Sequence, residues 1–223
     1  MWATDLPYDM AEVIALNTQY VGIGAGGSVP MLARVSFVDY RGHVVYDKFV
    51  VPSQPVVNYR TSSTGLQPQD LVGPDAVSFS EAQAMAAQLL RGRIVVGHSL
   101  WLDLQVLGVS HPASDTRDVG LYLPFRSALK TPNQVIGLQT LIWQLMRRKI
   151  QATHHNPVEN ARAVMDLFRS HEAEKPSRAV NGLVHCPPPH TLDVRICSTC
   201  LQGLPWILTS GSLDSQATSN QLP

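Results

Sequence analysis

The chain has 223 residues, 44% of them apolar, with 17 basic against 17 acidic side chains. That is enough for one domain with a substantial core, and the balanced charge lacks the basic excess on which nonspecific phosphate binding draws. No run of about eighteen apolar residues occurs, so no membrane span is expected.

The first residues, MWATDLPYDMAEV, are acidic and lack a basic n-region, so no secretory signal is expected. VIAL at 13–16 reads as a buried strand. MLARVSFVDY (31–40) and HVVYDKFVV (43–51) are β-rich and flank Arg41-Gly42, which predicts a hairpin. VPSQPVVNYRTSSTGLQPQD follows as a long Pro- and Ser-rich loop. Ser78-Phe79-Ser80-Glu81 resembles a capping box opening a helix whose apolar positions are Met85, Leu89 and Leu90. IVVGHS (94–99) is a second buried strand, LWLDLQVLGV (100–109) a helix, and DTRDVGLYL (115–123) contains a further strand. Leu138, Leu141, Ile142, Leu145 and Met146 mark an amphipathic helix ending in Arg147-Arg148-Lys149, where positive charge suits the helix dipole. Asn156-Pro157-Val158-Glu159 predicts the last helix: Asn caps, Pro takes the first turn, Glu closes a box, and Ala161, Val164, Met165 and Phe168 form the apolar face. Strands that first meander and then alternate with helices imply an α/β domain with a mixed sheet flanked by helices.

Five segments in order carry a resemblance: ALNTQYVGIG (15–24), LARVSFVDYRGHVVYDKFVVP (32–52), NYRTSSTGL (58–66), GRIVVGHSLWLDLQVL (92–107) and HNPVENARAVMDL (155–167). Together they resemble the DEDDh 3′–5′ exonucleases, in their RNA-exonuclease, interferon-stimulated exonuclease-like branch. The resemblance implies an RNase H-like exonuclease fold over residues 11–175 and a two-metal site built from four carboxylates and a His. At the matching positions Asp103 and His155 are retained, while Asn17, Gln19 and Asn160 stand where the family has acidic ligands. Thr18 and Tyr20 depart from the family as well, so the whole strand motif has changed. Tyr20 and Arg60 occupy positions that the resemblance assigns to nucleotide binding.

Residues i and i+2 of a strand share a face, so Asn17 and Gln19 point to one place. Two divalent cations about 4 Å apart bring four positive charges that amides do not offset. Mg²⁺ or Mn²⁺ binding in this site is therefore doubtful. The expectation is a catalytically degenerate exonuclease-like protein, serving as a protein-interaction or nucleic-acid-binding module in an RNA-processing or RNA-silencing assembly. Its partners would be a protein and, secondarily, RNA or another single strand. The alternative is an active exonuclease with an altered metal site.

From residue 176 onwards Pro, Ser, Thr, Gln and Gly dominate, which predicts a loop-rich extension, disordered after a compact segment at 185–200. Cys186, His190, Cys197 and Cys200 offer four zinc-type ligands, with His185 as a substitute for His190. All three cysteines fall here, which favours structural Zn²⁺ over a disulfide framework and an intracellular setting, nuclear or cytoplasmic.

Overall fold

A computed structural model describes residues 9–172 of the chain. Its axis is strand β1 (Val13–Ile23), a longer strand than the VIAL run alone predicts. Even-numbered Ile14 and Leu16 belong to one apolar cluster, odd-numbered Val13 and Ala15 to another. Both faces of the strand are thus buried, which is why its start reads as continuous apolar sequence rather than as alternation.

Strands β2 (Val29–Asp39) and β3 (Val44–Phe49) form the expected hairpin. Asp39 closes its turn by accepting from the amides of Arg41 (2.9 Å) and His43 (2.8 Å), while Gly42 supplies a φ of 87°. Strands β4 (Val56–Asn58), β5 (Ile94–Gly97) and β6 (Thr116–Asp118) complete a mixed sheet of order β3-β2-β1-β5-β6, with β4 pairing on β1. The first three strands are antiparallel, whereas β1, β5 and β6 run parallel.

Along one edge of β1, β5 pairs only with Val13–Ala15 and β4 only with Gly22 and Ile23. The residues between, 16–21, have no strand beside them on that edge. The site lies in this opening.

Helices α2 (Phe79–Leu90) and α3 (Leu100–Leu107) cover one face of the sheet, and α5 (Leu138–Met146) and α6 (Pro157–Glu172) cover the other. Ser78 caps α2 by accepting from the Glu81 amide. The buried stripe of α2 is Ala82, Ala86 and Leu90, so of the expected positions Leu90 is buried while Leu89 packs half-buried against the same core. Two alanines let the helix approach the sheet closely, and Met85 is left half-buried. On α6, Ala161, Val164, Met165 and Phe168 are all buried as expected.

Three expectations need correction. The stretch predicted as a long loop contains β4, the short helix α1 (Thr61–Thr64) and a 3-10 turn at Pro68–Leu71, while a further short helix, α4 (Leu123–Ala128), follows β6. The basic triplet does not end α5 as a helical turn: Arg147 is a left-handed cap (φ 54°), and Arg148 pairs with Asp166 at 2.6 Å. Asn156 does cap α6, accepting from the Val158 amide at 3.0 Å, but Glu159 does not close a box; its carboxylate accepts from the Gln151 amide at 2.9 Å.

Candidate active site

The opening beside β1 is a cleft of about 480 Å³. The chain brings to it, from five separate segments, Asn17, Gln19 and Tyr20 of β1, Arg60 beside α1, Asp103 of α3, His155 and Asn160. Every residue singled out within the described part therefore shares one cavity. Cys186, His190, Cys197 and Cys200, and the alternative ligand His185, lie outside the described residues, as does the expected zinc segment.

Alternation along β1 decides who meets whom. Odd-numbered Asn17 and Gln19 look towards α6 and the loop before it, and even-numbered Thr18 looks towards α3. The Asn160 side-chain amide donates to Asn17 Oδ1 at 3.0 Å. Asn160 Oδ1 accepts from Gln151 Nε2 at 2.9 Å. Gln19 Nε2 donates to two main-chain carbonyls, those of Thr64 (2.9 Å) and His155. Two carbonyl partners fix which end of that amide carries nitrogen, because only the NH₂ can donate.

Asp103 is 5% exposed and sits at the first turn of α3. Its Oδ1 accepts from the backbone amide of Thr18 (2.9 Å) and from the Thr18 hydroxyl (2.5 Å). That backbone amide belongs to the part of β1 with no strand beside it, so Asp103 stands in for the missing ladder partner. Burial pushes the Asp103 carboxyl up to about 8; the two Thr18 hydrogen bonds oppose the rise and nearby Asp118 adds to it. Asp103 is thereby biased towards its neutral form, because desolvation disfavours the anion.

Two oxygens remain without a protein partner: Asp103 Oδ2 and Gln19 Oε1, both buried in residues that line the cleft. Across the cavity the Arg60 guanidinium stacks over the Tyr20 ring at 4.6 Å, and Arg60 itself holds a left-handed backbone (φ 55°). A non-glycine residue in that region costs free energy unless its surroundings require it, and such residues gather at functional sites. The His155 main chain is tied at both ends, its amide donating to the Ser63 carbonyl (2.8 Å) and its carbonyl accepting from Gln19.

Sequence reasoning missed Thr18, Gln151 and Asp118 as parts of the site. Asp118 accepts from the amides of Leu100 and Gly120, both at 2.9 Å, and so fixes the first turn of α3 beneath Asp103. Its position at the end of a parallel strand was the available signal, since ligand sites in such sheets gather there. Gln151 carries no local signal; only the approach of its loop to α6 makes it a partner of Asn160.

No family model matches the sequence. The sequence is 44% identical over 165 residues to RNA exonuclease 4 of Debaryomyces hansenii, covering 73% of this chain and 58% of that protein. It is 41% identical over 166 residues to RNA exonuclease 4 of Saccharomyces cerevisiae, covering 74% and 56%. The chain thus spans somewhat more than half the length of these relatives. Among solved structures, the Neurospora crassa Pan2 catalytic unit superposes with a TM-score of 0.65 at 25% identity, over 74% of this chain and 27% of that one. The S. cerevisiae Pan2 pseudoubiquitin hydrolase-RNA exonuclease module in complex with AAUUAA RNA gives 0.65 at 21% identity, over 74% and 29%.

A mixed sheet with helices on both faces and a cleft at the ends of its parallel strands is the RNase H-like fold of the Pan2 exonuclease domain. By sequence the chain belongs to the DEDD 3′–5′ exonuclease family, as a homologue of the RNA exonuclease 4 proteins.

Proposed function

We propose that this domain takes the 3′ end of an RNA strand into the cleft and holds it with little or no hydrolysis, as a binding module within an RNA-processing or RNA-silencing assembly that includes protein partners. The observation that carries this reading is the amide network. Asn17 Oδ1 and Asn160 Oδ1 already accept from amides and Gln19 Nε2 is committed to carbonyls, which leaves Gln19 Oε1 and Asp103 Oδ2 as the buried oxygens of these residues still without a partner. A paired-cation centre needs oxygens free to coordinate and charge to offset four positive charges. The donor set here, one carboxylate and three amides, does not fit such a pair. The described residues also contain no group of three or more His, Cys, Asp or Glu that could hold a metal. Without a metal-bound water, His155 has little to activate as a general base.

RNA as the ligand is supported by homology to proteins named RNA exonuclease 4 and by a fold shared with a Pan2 module solved with RNA. The stacked Arg60–Tyr20 pair supplies a cationic, flat wall suited to a nucleotide. A structural Zn²⁺ held by Cys186, His190, Cys197 and Cys200 is part of the same proposal, and metal analysis of the purified full chain tests it.

The comparisons favour a second reading, an active metal-dependent 3′–5′ exonuclease on RNA or single-stranded DNA, because relatives of that name are 44% and 41% identical. One experiment separates the two. A labelled RNA strand is incubated with the full chain in Mg²⁺ or Mn²⁺, and its binding is measured in parallel in a chelator. Binding in the chelator without trimming in either metal supports the module. Trimming that disappears in Asp103→Ala establishes the enzyme instead.

A further inference from the structure

The exposed side of α5 leads out of the cleft. Gln139 and Thr140 line the cavity, and Trp143 follows one helical turn further along the same side. Trp143 is 41% exposed, unusual for so large an apolar side chain, while Leu138, Leu141 and Ile142 bury the opposite side. After the left-handed cap at Arg147, the chain runs back beside the helix. Gln139 Nε2 donates to the Ile150 carbonyl (3.2 Å) and holds it there, and Gln151 returns to the cleft wall. This return places the Lys149 ammonium over the Trp143 ring, 5.7 Å from its centroid. Arg148 is committed to Asp166, but Arg147 and Lys149 are exposed and make no ion pair among the described residues.

We propose that Trp143, with Arg147 and Lys149, is a stacking ledge for single-stranded RNA as it leaves the cleft, so that the strand is gripped at two neighbouring places. An exposed indole with a lysine over one face suits a base joined to a phosphate: moved off the ring, the ammonium meets the backbone and leaves that face to a base, and exposed Arg147 adds a second cation two residues earlier in the chain. A protein partner fits less well, because burying both lysine and arginine against an apolar surface leaves their charges unsatisfied, and lysine is depleted from such contacts. The ledge adds affinity without sequence preference, since stacking reads no base edge.

The proposal rests on the reading that the cleft receives RNA, and the test separates the two. With the full chain in a chelator, affinities are measured for an RNA octanucleotide, which reaches the ledge, and for a dinucleotide, which fills the cleft alone. Trp143→Ala is expected to weaken the octanucleotide about tenfold and leave the dinucleotide unchanged, with Trp143→Phe keeping most of the affinity. Lys149→Glu is expected to weaken the octanucleotide and flatten its salt dependence. An octanucleotide affinity unaltered by Trp143→Ala and Lys149→Glu overturns the ledge while the cleft reading stands. A wild-type chain that binds neither ligand overturns both.

Discussion

At the scale of single residues, the chemistry of the cleft turns on whether its polar groups carry charge. Asp103 is the clearest case. Its carboxyl titrates near 8 in the folded protein because burial disfavours the anion, against about 4 when unfolded. Between those values the unfolded chain has released a proton that the folded chain still holds. Stability therefore falls as pH rises from about 4 to about 8 and is insensitive to this group above that range. Asp103→Asn removes the penalty. In a chelator, denaturant titrations should show the variant gaining on the wild type across this window, by on the order of a few kcal/mol at the alkaline end. A stability difference that does not change with pH would show that Asp103 is ionised throughout.

Gln19 poses the complementary question. Its amide nitrogen faces two carbonyls, so a carboxylate there would meet acceptors only. Gln19→Glu alone should therefore destabilise the fold at pH 8 by about 1–3 kcal/mol and recover at pH 4, where the introduced acid is protonated and able to donate. Thermal melts at the two pH values check it. Asn17, Gln19 and Asn160 were singled out in the sequence through the resemblance, and the structure brings all three to the cleft. That they bond to Gln151, to carbonyls and to each other was not legible there, because hydrogen-bond partners 143 residues apart leave no trace in local sequence.

At the scale of elements, tight backbone approaches set the angles at which segments enter the site. Gly97 ends β5 and precedes the turn into α3. A Cβ placed there would lie 2.3 Å from Leu100 Cδ2, and Leu100 is fully buried. Gly97→Ala should cost about 1–3 kcal/mol through overpacking, read as a fall in denaturation midpoint, and should displace the first turn of α3 that carries Asp103. The cap at Ser78 lies far from the cleft, so Ser78→Ala should cost about 1 kcal/mol and leave RNA binding unaltered. Caps, the hairpin turn and the apolar faces of α5 and α6 were readable because each is encoded within a few residues. The short elements β4, α1 and α4 were not. Three to six residues give too little periodicity, and β4 exists because Gly22 and Ile23 of β1 offer it a partner.

At the scale of the whole molecule, the domain joins a sheet that opens beside β1 to a cleft lined by Asn17, Gln19, Asn160 and Asp103. Placing carboxylates at the three amides tests the proposed degeneracy. The triple change Asn17→Asp, Gln19→Glu and Asn160→Asp places four carboxylates in one cavity with Asp103. Without divalent cations their mutual repulsion should lower the melting temperature, and Mn²⁺ should raise it again through binding to the folded state alone. RNA trimming should accompany that rise. Cation-dependent stabilisation without trimming would place the remaining defect at Tyr20 or the Arg60 wall rather than in the metal ligands.

The sequence by itself determined the fold class, the two apolar faces of β1, the caps of α2 and α6 and the amide identity of Asn17, Gln19 and Asn160. Those features depend on neighbours a few residues away or on the identity of a residue at its place. The tertiary structure alone decided that the amides are occupied with one another, that Asp103 completes the open edge of β1, and that the α5 return sets Lys149 over Trp143. Each of these is a meeting between segments distant in sequence. Which donors remain for a ligand depends on distances that only the packed sheet and helices fix.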